Sequence, residues 1–387
     1  MLFASAKSNI IFDNEVTLFL LFSVSWAVMY KKRIPVTRAF FVLLGVFFVY
    51  STIYLFKFSV LNVTATLRFF LNLGFAYAVI RIAAERFYEH VETWVYKLAL
   101  ISLPLYLVQV VAPKFMLTLN GSLAVLLPFM KNYSTDLVEY TSSVIFSFNY
   151  HNHMYRNSGF MWEPGAFGAV LGMVILINLI RSRFTFNRKL AVLLVTVITT
   201  FSTTAFILLG FLLLFYMLNK GRFARIMAPV MLIPIGFLIW QFEFVGEKIE
   251  HQFNTRDDIM VNEKKYFSLG YKSRSLGRFG SLVIDLKDLS DDPVFGTGFQ
   301  YEERTQGKLL TYEKTNGLSD YLVKFGILGM VLFIFNISRS FNRYGSVYNT
   351  YGVWLIPVIV VVIGFSNPVL FTPLFLSFQV YYIARPK

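Results

Sequence analysis

Long apolar runs separated by short basic segments limit what this chain can fold into. Eleven such runs lie at about 15–30, 38–56, 60–80, 97–113, 164–180, 189–203, 204–219, 226–244, 317–337, 350–366 and 369–383. A helix that crosses a bilayer needs about 20 apolar residues, at the low end about 17. The stretch from 189 to 219 is too long for one helix, and "FSTTAF" at 201–206 offers a polar tip for a tight hairpin. Only 15% of the residues are charged and 56% are hydrophobic, against roughly 25% charged in a soluble domain. The pattern predicts an all-α polytopic membrane protein, one integral domain over 1–387 with about 11 transmembrane helices. Two segments, 114–163 and 245–316, are not spans and form the larger loops.

A formal charge of +14 invites a nucleic-acid reading, and its distribution removes that reading. The segments 30–38, 81–97, 181–189, 220–225, 338–344 and 384–387 hold 18 basic residues against three acidic ones, Glu85, Glu89 and Glu92. The loop 245–316 holds 11 basic and 12 acidic residues and is nearly neutral. Basic residues gather in cytoplasmic loops, so these six segments are expected inside. The N-terminus and both long loops are then expected outside. Asp13 and Glu15 before the first run, and Lys31, Lys32 and Arg33 after it, mark a first span rather than a cleaved leader. The sequence has no cysteine, which excludes disulfides and thiolate chemistry.

Few charged residues approach the outer ends of the spans. In "RNSGFMWEPGAFG" (156–168), Arg156 and Glu163 stand at the mouth of the fifth run. Pro164 suits the first turn of a helix, where its missing N–H costs nothing. That helix start then presents its positive end and free N–H groups to anionic oxygen, and Arg156 adds a planar fork that holds phosphate bidentately. A plainer alternative has Glu163 complementing the helix dipole and Arg156 meeting lipid headgroups. In the second loop Arg274 and Arg278 share one face if the segment is helical. Leu282, Val283, Ile284 and Leu286 then predict packing on the membrane surface, and "DPVFGTG" (292–298) predicts a tight turn. Arg68 lies within the third run and either faces a polar cavity or snorkels outward. His151 and His153 lack the companions of a metal site, so no metal is expected.

Four pieces in order resemble the O-antigen polymerase and ligase superfamily of bacterial envelope glycosyltransferases. "RNSGFMWEPGAFG" is similar to its R-x-x-G-x-x-x-E-P element, and "TFSTTAF" (200–206) to its small-polar hairpin tip. Gly277, Arg278, Pro293, Gly296 and Gly298 resemble its G-R and P-x-x-G-x-G element. "TNGLSDYLVKFGILG" (315–329) resembles its H-N-x-x-L element, with Asn316 in place and Thr315 where ligases carry a histidine. The resemblance covers roughly 150–330 and, at Thr315, leans towards a Wzy-type polymerase.

The resemblance implies a membrane glycosyltransferase of the bacterial inner membrane, working at the periplasmic face with both long loops periplasmic. It implies a donor and an acceptor that are polyprenyl-pyrophosphate-linked oligosaccharides, membrane lipids around them, a chain-length regulator as a further partner, and no cofactor. Arg156 and Arg278 are the expected stabilisers of the departing pyrophosphate and Glu163 the expected proton acceptor. Arg274, Arg68 and Asn316 are expected to bind substrate. The alternatives are an O-antigen ligase that transfers glycan to lipid A core, and a lipid-linked oligosaccharide flippase. A flippase needs cations along several spans, whereas few, Arg68 among them, lie well within one.

Overall fold

The structure is a computed structural model. It describes residues 1–6, 14–58, 62–126, 131–134, 139–142, 145–149, 154–221, 224, 226–227, 278–299, 304 and 316–384. Arg274, the histidines 151 and 153, Thr315 and all but the first two residues of the run at 226–244 lie outside the described residues.

The described residues are mostly helical: α1 (Glu15–Lys31), α2 (Arg38–Phe58), α3 (Val63–Ala83), α4 (Phe87–Val111), α5 (Pro113–Leu126), α6 (Pro164–Arg181), α7 (Arg188–Thr199), α8 (Thr203–Leu218), α9 (Arg278–Ser290), α10 (Gly317–Val347), α11 (Leu355–Ser366) and α12 (Pro373–Ala384). Among the described residues four stretches are long and apolar enough to cross a membrane: Arg38–Lys57, Val63–Val111, Pro164–Arg181 and Gly317–Val347. The 189–219 run is a hairpin with its break at 200–202, as the polar tip predicts. The first loop has structure of its own. It contains α5 and a three-stranded antiparallel meander of Lys131–Ser134, Glu139–Ser142 and Ser147–Asn149.

Helix α6 sits at the centre, with every residue from Pro164 to Ile180 buried. Its small residues explain how closely α8 approaches it. A Cβ added at Gly168 would lie 2.7 Å from the Ala205 Cβ, and one at Gly172 would lie 3.1 Å from Leu208. Small residues four apart let two helix backbones approach closely, which in lipid replaces the hydrophobic drive for association. The contacts 168–205 and 172–208 advance together, so α6 and α8 run parallel and begin side by side. Helix α7 supplies the return.

Helix α10 is broken at Gly326 (φ 65°, ψ −172°). The 293–298 turn fills the break. Ile327 and Leu328 N–H donate to the carbonyls of Pro293 and Val294 at 2.8 and 3.2 Å, while Thr297 and Gly298 N–H donate to Val323 and Lys324 at 2.7 and 3.0 Å. The Tyr54 hydroxyl donates to the Lys324 carbonyl at 2.6 Å. Irregular backbone in a span is tolerated where protein re-satisfies it. Gly296 has φ 75°, and a Cβ there would lie 2.2 Å from the Val323 carbonyl oxygen, so only glycine fits.

The basic segments gather at the far end of α6. Glu92 is fully buried, with Arg181 Nε at 2.9 Å, Lys189 Nζ at 3.2 Å and Asn178 Nδ2 at 3.0 Å. Arg81 donates to the carbonyls of Pro35 and Ala384, both at 2.8 Å. Segments assigned to one side by charge thus meet at one end of the bundle, and α6 begins at the other.

Candidate anion-binding site

At that opposite end, the chain entering α6 is held before it starts. The Gln109 side chain of α4 donates to the carbonyls of Met154 and Arg156, at 2.5 and 3.1 Å. Asn157 N–H donates to the Thr199 carbonyl at 2.9 Å, and its amide donates to the hydroxyls of Thr199 and Ser102. This stitching lays Arg156 across the 200–204 turn, where its Nε donates to the Thr200 carbonyl at 3.1 Å. Glu163 is the N-cap of α6, and Pro164 occupies the first turn as its chemistry predicts. The Glu163 side chain makes no capping hydrogen bond. A carboxylate used only to close the helix end would make one.

Arg278 arrives from far along the chain as the first residue of α9. Its Nε donates to the Ser366 carbonyl at 2.8 Å. Its own carbonyl accepts from Asn316 Nδ2 at 3.2 Å. The hydroxyls of Ser366 and Thr204 hydrogen-bond to each other, which ties α11 to α8 beside the two arginines.

These anchors surround a small cavity of about 40 Å³ lined by Arg156, Glu163, Pro164, Gly165, the 202–204 turn and Arg278. A single water needs about 10–15 Å³ of such volume. The cavity therefore has room for a few oxygen-sized groups, as in a phosphoryl group, and not for a sugar ring. Burial pulls the Arg156 guanidinium down to about 10, with Glu163 opposing that shift and Arg278 adding to it. Burial also lowers Arg278, again opposed by Glu163. At neutral pH both remain charged, so the lining holds two cations and one carboxylate. Two guanidinium groups against one carboxylate leave the lining with a positive balance, which favours an entering anion.

The structure thus unites Arg156, Glu163 and Arg278. It does not bring Arg68 to them: Arg68 Nη1 lies 3.2 Å from Glu15 Oε1 at the start of α1, half exposed. Asn316 is fully buried and acts on the protein itself. Its Oδ1 accepts from the N–H groups of Leu318 and Ser319, both at 3.1 Å, while its Nδ2 holds the Arg278 backbone. It positions an arginine rather than lining the cavity.

Helix α9 leaves Leu286 exposed and Leu282 and Val283 partly exposed, on the face expected to meet the membrane surface. Its buried residues are Gly280, Ser281, Ile284, Asp285, Asp288 and Leu289. The buried face meets Arg304, a residue that stands in no motif of the sequence. Arg304 sits between Asp285 (2.7 Å) and Asp320 (2.8 Å); Lys324 pairs with Asp320 at 2.8 Å, and the Ser319 hydroxyl donates to Asp285. Facing two carboxylates, Arg304 is held more firmly protonated than usual despite its burial. This cluster fastens α9 to α10 and thereby fixes Arg278.

Ser202 and Thr203 also line the cavity, although in the sequence they mark only a hairpin tip. Their signal is polarity inside the long apolar run from 189 to 219. Among the described residues no group of three His, Asp or Glu side chains is placed to hold a metal. No family model matches the chain, and no curated protein matches it significantly.

Proposed function

We propose that the protein is a membrane glycosyltransferase that polymerises polyprenyl-pyrophosphate-linked oligosaccharide repeats into O-antigen or a related surface polysaccharide. The observation that carries this reading is the convergence of Arg156, Arg278 and Glu163 on one phosphoryl-sized cavity at the end of the bundle away from the basic collar. The motif resemblance of 156–164 and 277–298 supports it independently.

In this reading the hydroxyl oxygen of one repeat attacks the anomeric carbon of the growing chain. The bond from that carbon to the pyrophosphate oxygen breaks, and polyprenyl pyrophosphate leaves with the electron pair. Negative charge grows on the leaving group, facing Arg156 and Arg278, whose planes are already fixed by Thr200 and Ser366. Donors set in place before the reaction need no reorganisation, and loss of one costs about 10²–10³ in rate. Glu163 takes the proton of the attacking hydroxyl, a role that contributes about 10²–10⁴-fold. The sugars lie outside the small cavity, where the loops 114–163 and 245–316 are expected at the periplasmic surface of the inner membrane.

The test is deletion in the source bacterium followed by a lipopolysaccharide gel. Polymerase loss leaves one repeat on the core. A core with no repeat points instead to a ligase, and failure to deliver any repeat outward points to a flippase; either result removes the polymerase reading.

A further inference from the structure

Two helices begin at the cavity, and both begin without the usual closure. Elsewhere Asn14, Asn62, Asn187 and Asn316 each accept a hydrogen bond from an N–H two or three residues into the helix they precede. Thr37 does the same for α2. Glu163 of α6 and Ser202 of α8 have side chains able to do this, and neither does. The first-turn N–H groups of both helices therefore meet no acceptor from their own cap residue.

Hydrogen-bonding capacity is left over on both helices: at Thr203 of α8 and against Gly165 of α6. The Thr203 hydroxyl is buried and has no partner. Asn367 is fully buried, and neither its Oδ1 nor its Nδ2 has a partner. It follows Ser366, the residue that holds Arg278, and its amide faces Gly165 on the cavity wall. A Cβ at 165 would lie 3.1 Å from Asn367 Oδ1 and 3.3 Å from Nδ2. A buried polar group without a partner destabilises the fold. Two of them beside a cationic cavity have a physical reason if a ligand completes them.

We infer that the 202–204 turn is the second half of the anion site. The Thr203 hydroxyl and the first-turn N–H groups of α8 bind phosphoryl oxygen beside the start of α6, making Thr203 a substrate-binding residue alongside the two arginines. Helix starts favour anions, and here two parallel ones, set side by side by Gly168 and Ala205, act on the same group. The inference rests on the reading of this cavity as the leaving-group site and adds a residue to it.

The experiment is calorimetric titration of the purified full chain with inorganic pyrophosphate, alongside thermal unfolding without ligand. Thr203→Val keeps the shape and removes the hydroxyl. It is expected to weaken binding about 10–100-fold, the range of a hydrogen bond to a charged group, while the unfolding temperature stays level or rises. Thr203→Ser, which keeps the hydroxyl, is expected to bind within about threefold of the parent protein, a difference of under about 0.7 kcal/mol. Unchanged affinity in Thr203→Val, with binding lost in Arg278→Ala, overturns this inference and leaves the cavity an anion site. Weakening that accompanies a lower unfolding temperature and is not relieved in Thr203→Ser makes Thr203 structural, and also overturns it. Unchanged affinity in Arg278→Ala and Thr203→Val alike removes the leaving-group reading itself.

Discussion

Gly168 of α6 lies against Ala205 of α8, so near that a Cβ on the glycine would meet the alanine Cβ at 2.7 Å. This contact sets the spacing of two helix starts whose first turns line the cavity with Arg156 and Arg278. Gly168→Val is therefore expected to push the helices apart. Overpacking a tight contact costs about 1–3 kcal/mol. Pyrophosphate affinity should fall with it, and Gly168→Ala should show a smaller loss of both. A Gly168→Val protein with parental unfolding temperature and affinity would show that this spacing does not matter.

Arg278 keeps its plane by donating Nε to Ser366. Arg278→Lys retains the charge but has no Nε to donate and no fork for two phosphoryl oxygens. Chain extension on synthetic lipid-linked repeats should drop about 10²-fold or more, with unfolding temperature nearly unchanged. Full activity in Arg278→Lys would reduce its role to charge alone.

Glu163 stands at a helix start without capping it. If it accepts the hydroxyl proton, Glu163→Gln should lower the extension rate by about 10²-fold or more. If it only balances Arg156 and Arg278, the loss should resemble a dipole term of about 0.3–1 kcal/mol, roughly twofold to fivefold in rate. We expect the larger loss. A deficit below tenfold, with Arg156→Ala inactive, would assign the site to binding alone.

Arg304 sits between the carboxylates of Asp285 and Asp320. Arg304→Ala leaves two buried carboxylates with Lys324 alone, and removing one partner of a buried ionic group costs about 3–5 kcal/mol. Denaturation should show that loss, and activity should fall because α9 no longer holds Arg278. Arg304→Ala with unaltered stability would refute the cluster as the anchor of α9.

The charge bias of the six basic segments predicts where they face. A reporter fused after Lys387 should read as cytoplasmic, and one inserted near Asn262 as periplasmic. A cytoplasmic signal at Asn262 would overturn the sidedness and, with it, the periplasmic location of the cavity.

Hydropathy and local chemistry alone place the start of α6 at Pro164, the break at 200–202, and the Arg156–Glu163 pair beside one helix end. Each depends on residues near one another along the chain: a proline suited to a first turn, polar residues interrupting an apolar run, a short stretch carrying both charges. Burial in lipid adds up residue by residue, so a linear sequence displays it. The partners of those residues are a different matter. Arg278 reaches Arg156 only because α9 is pinned by Arg304 to Asp285 and Asp320, and because Asn316 and Ser366 hold its two ends. The apolar stripe of α9 points to a membrane contact, and Leu286 is free for one, but the ion pairs that bury the Asp285 face leave no local pattern in the sequence. Thr203 reads as an ordinary hairpin residue until the contact of Gly168 with Ala205 draws α8 parallel to α6. Which distant groups meet depends on shape complementarity and on pairing of buried charges, and those terms exist only once the helices are packed.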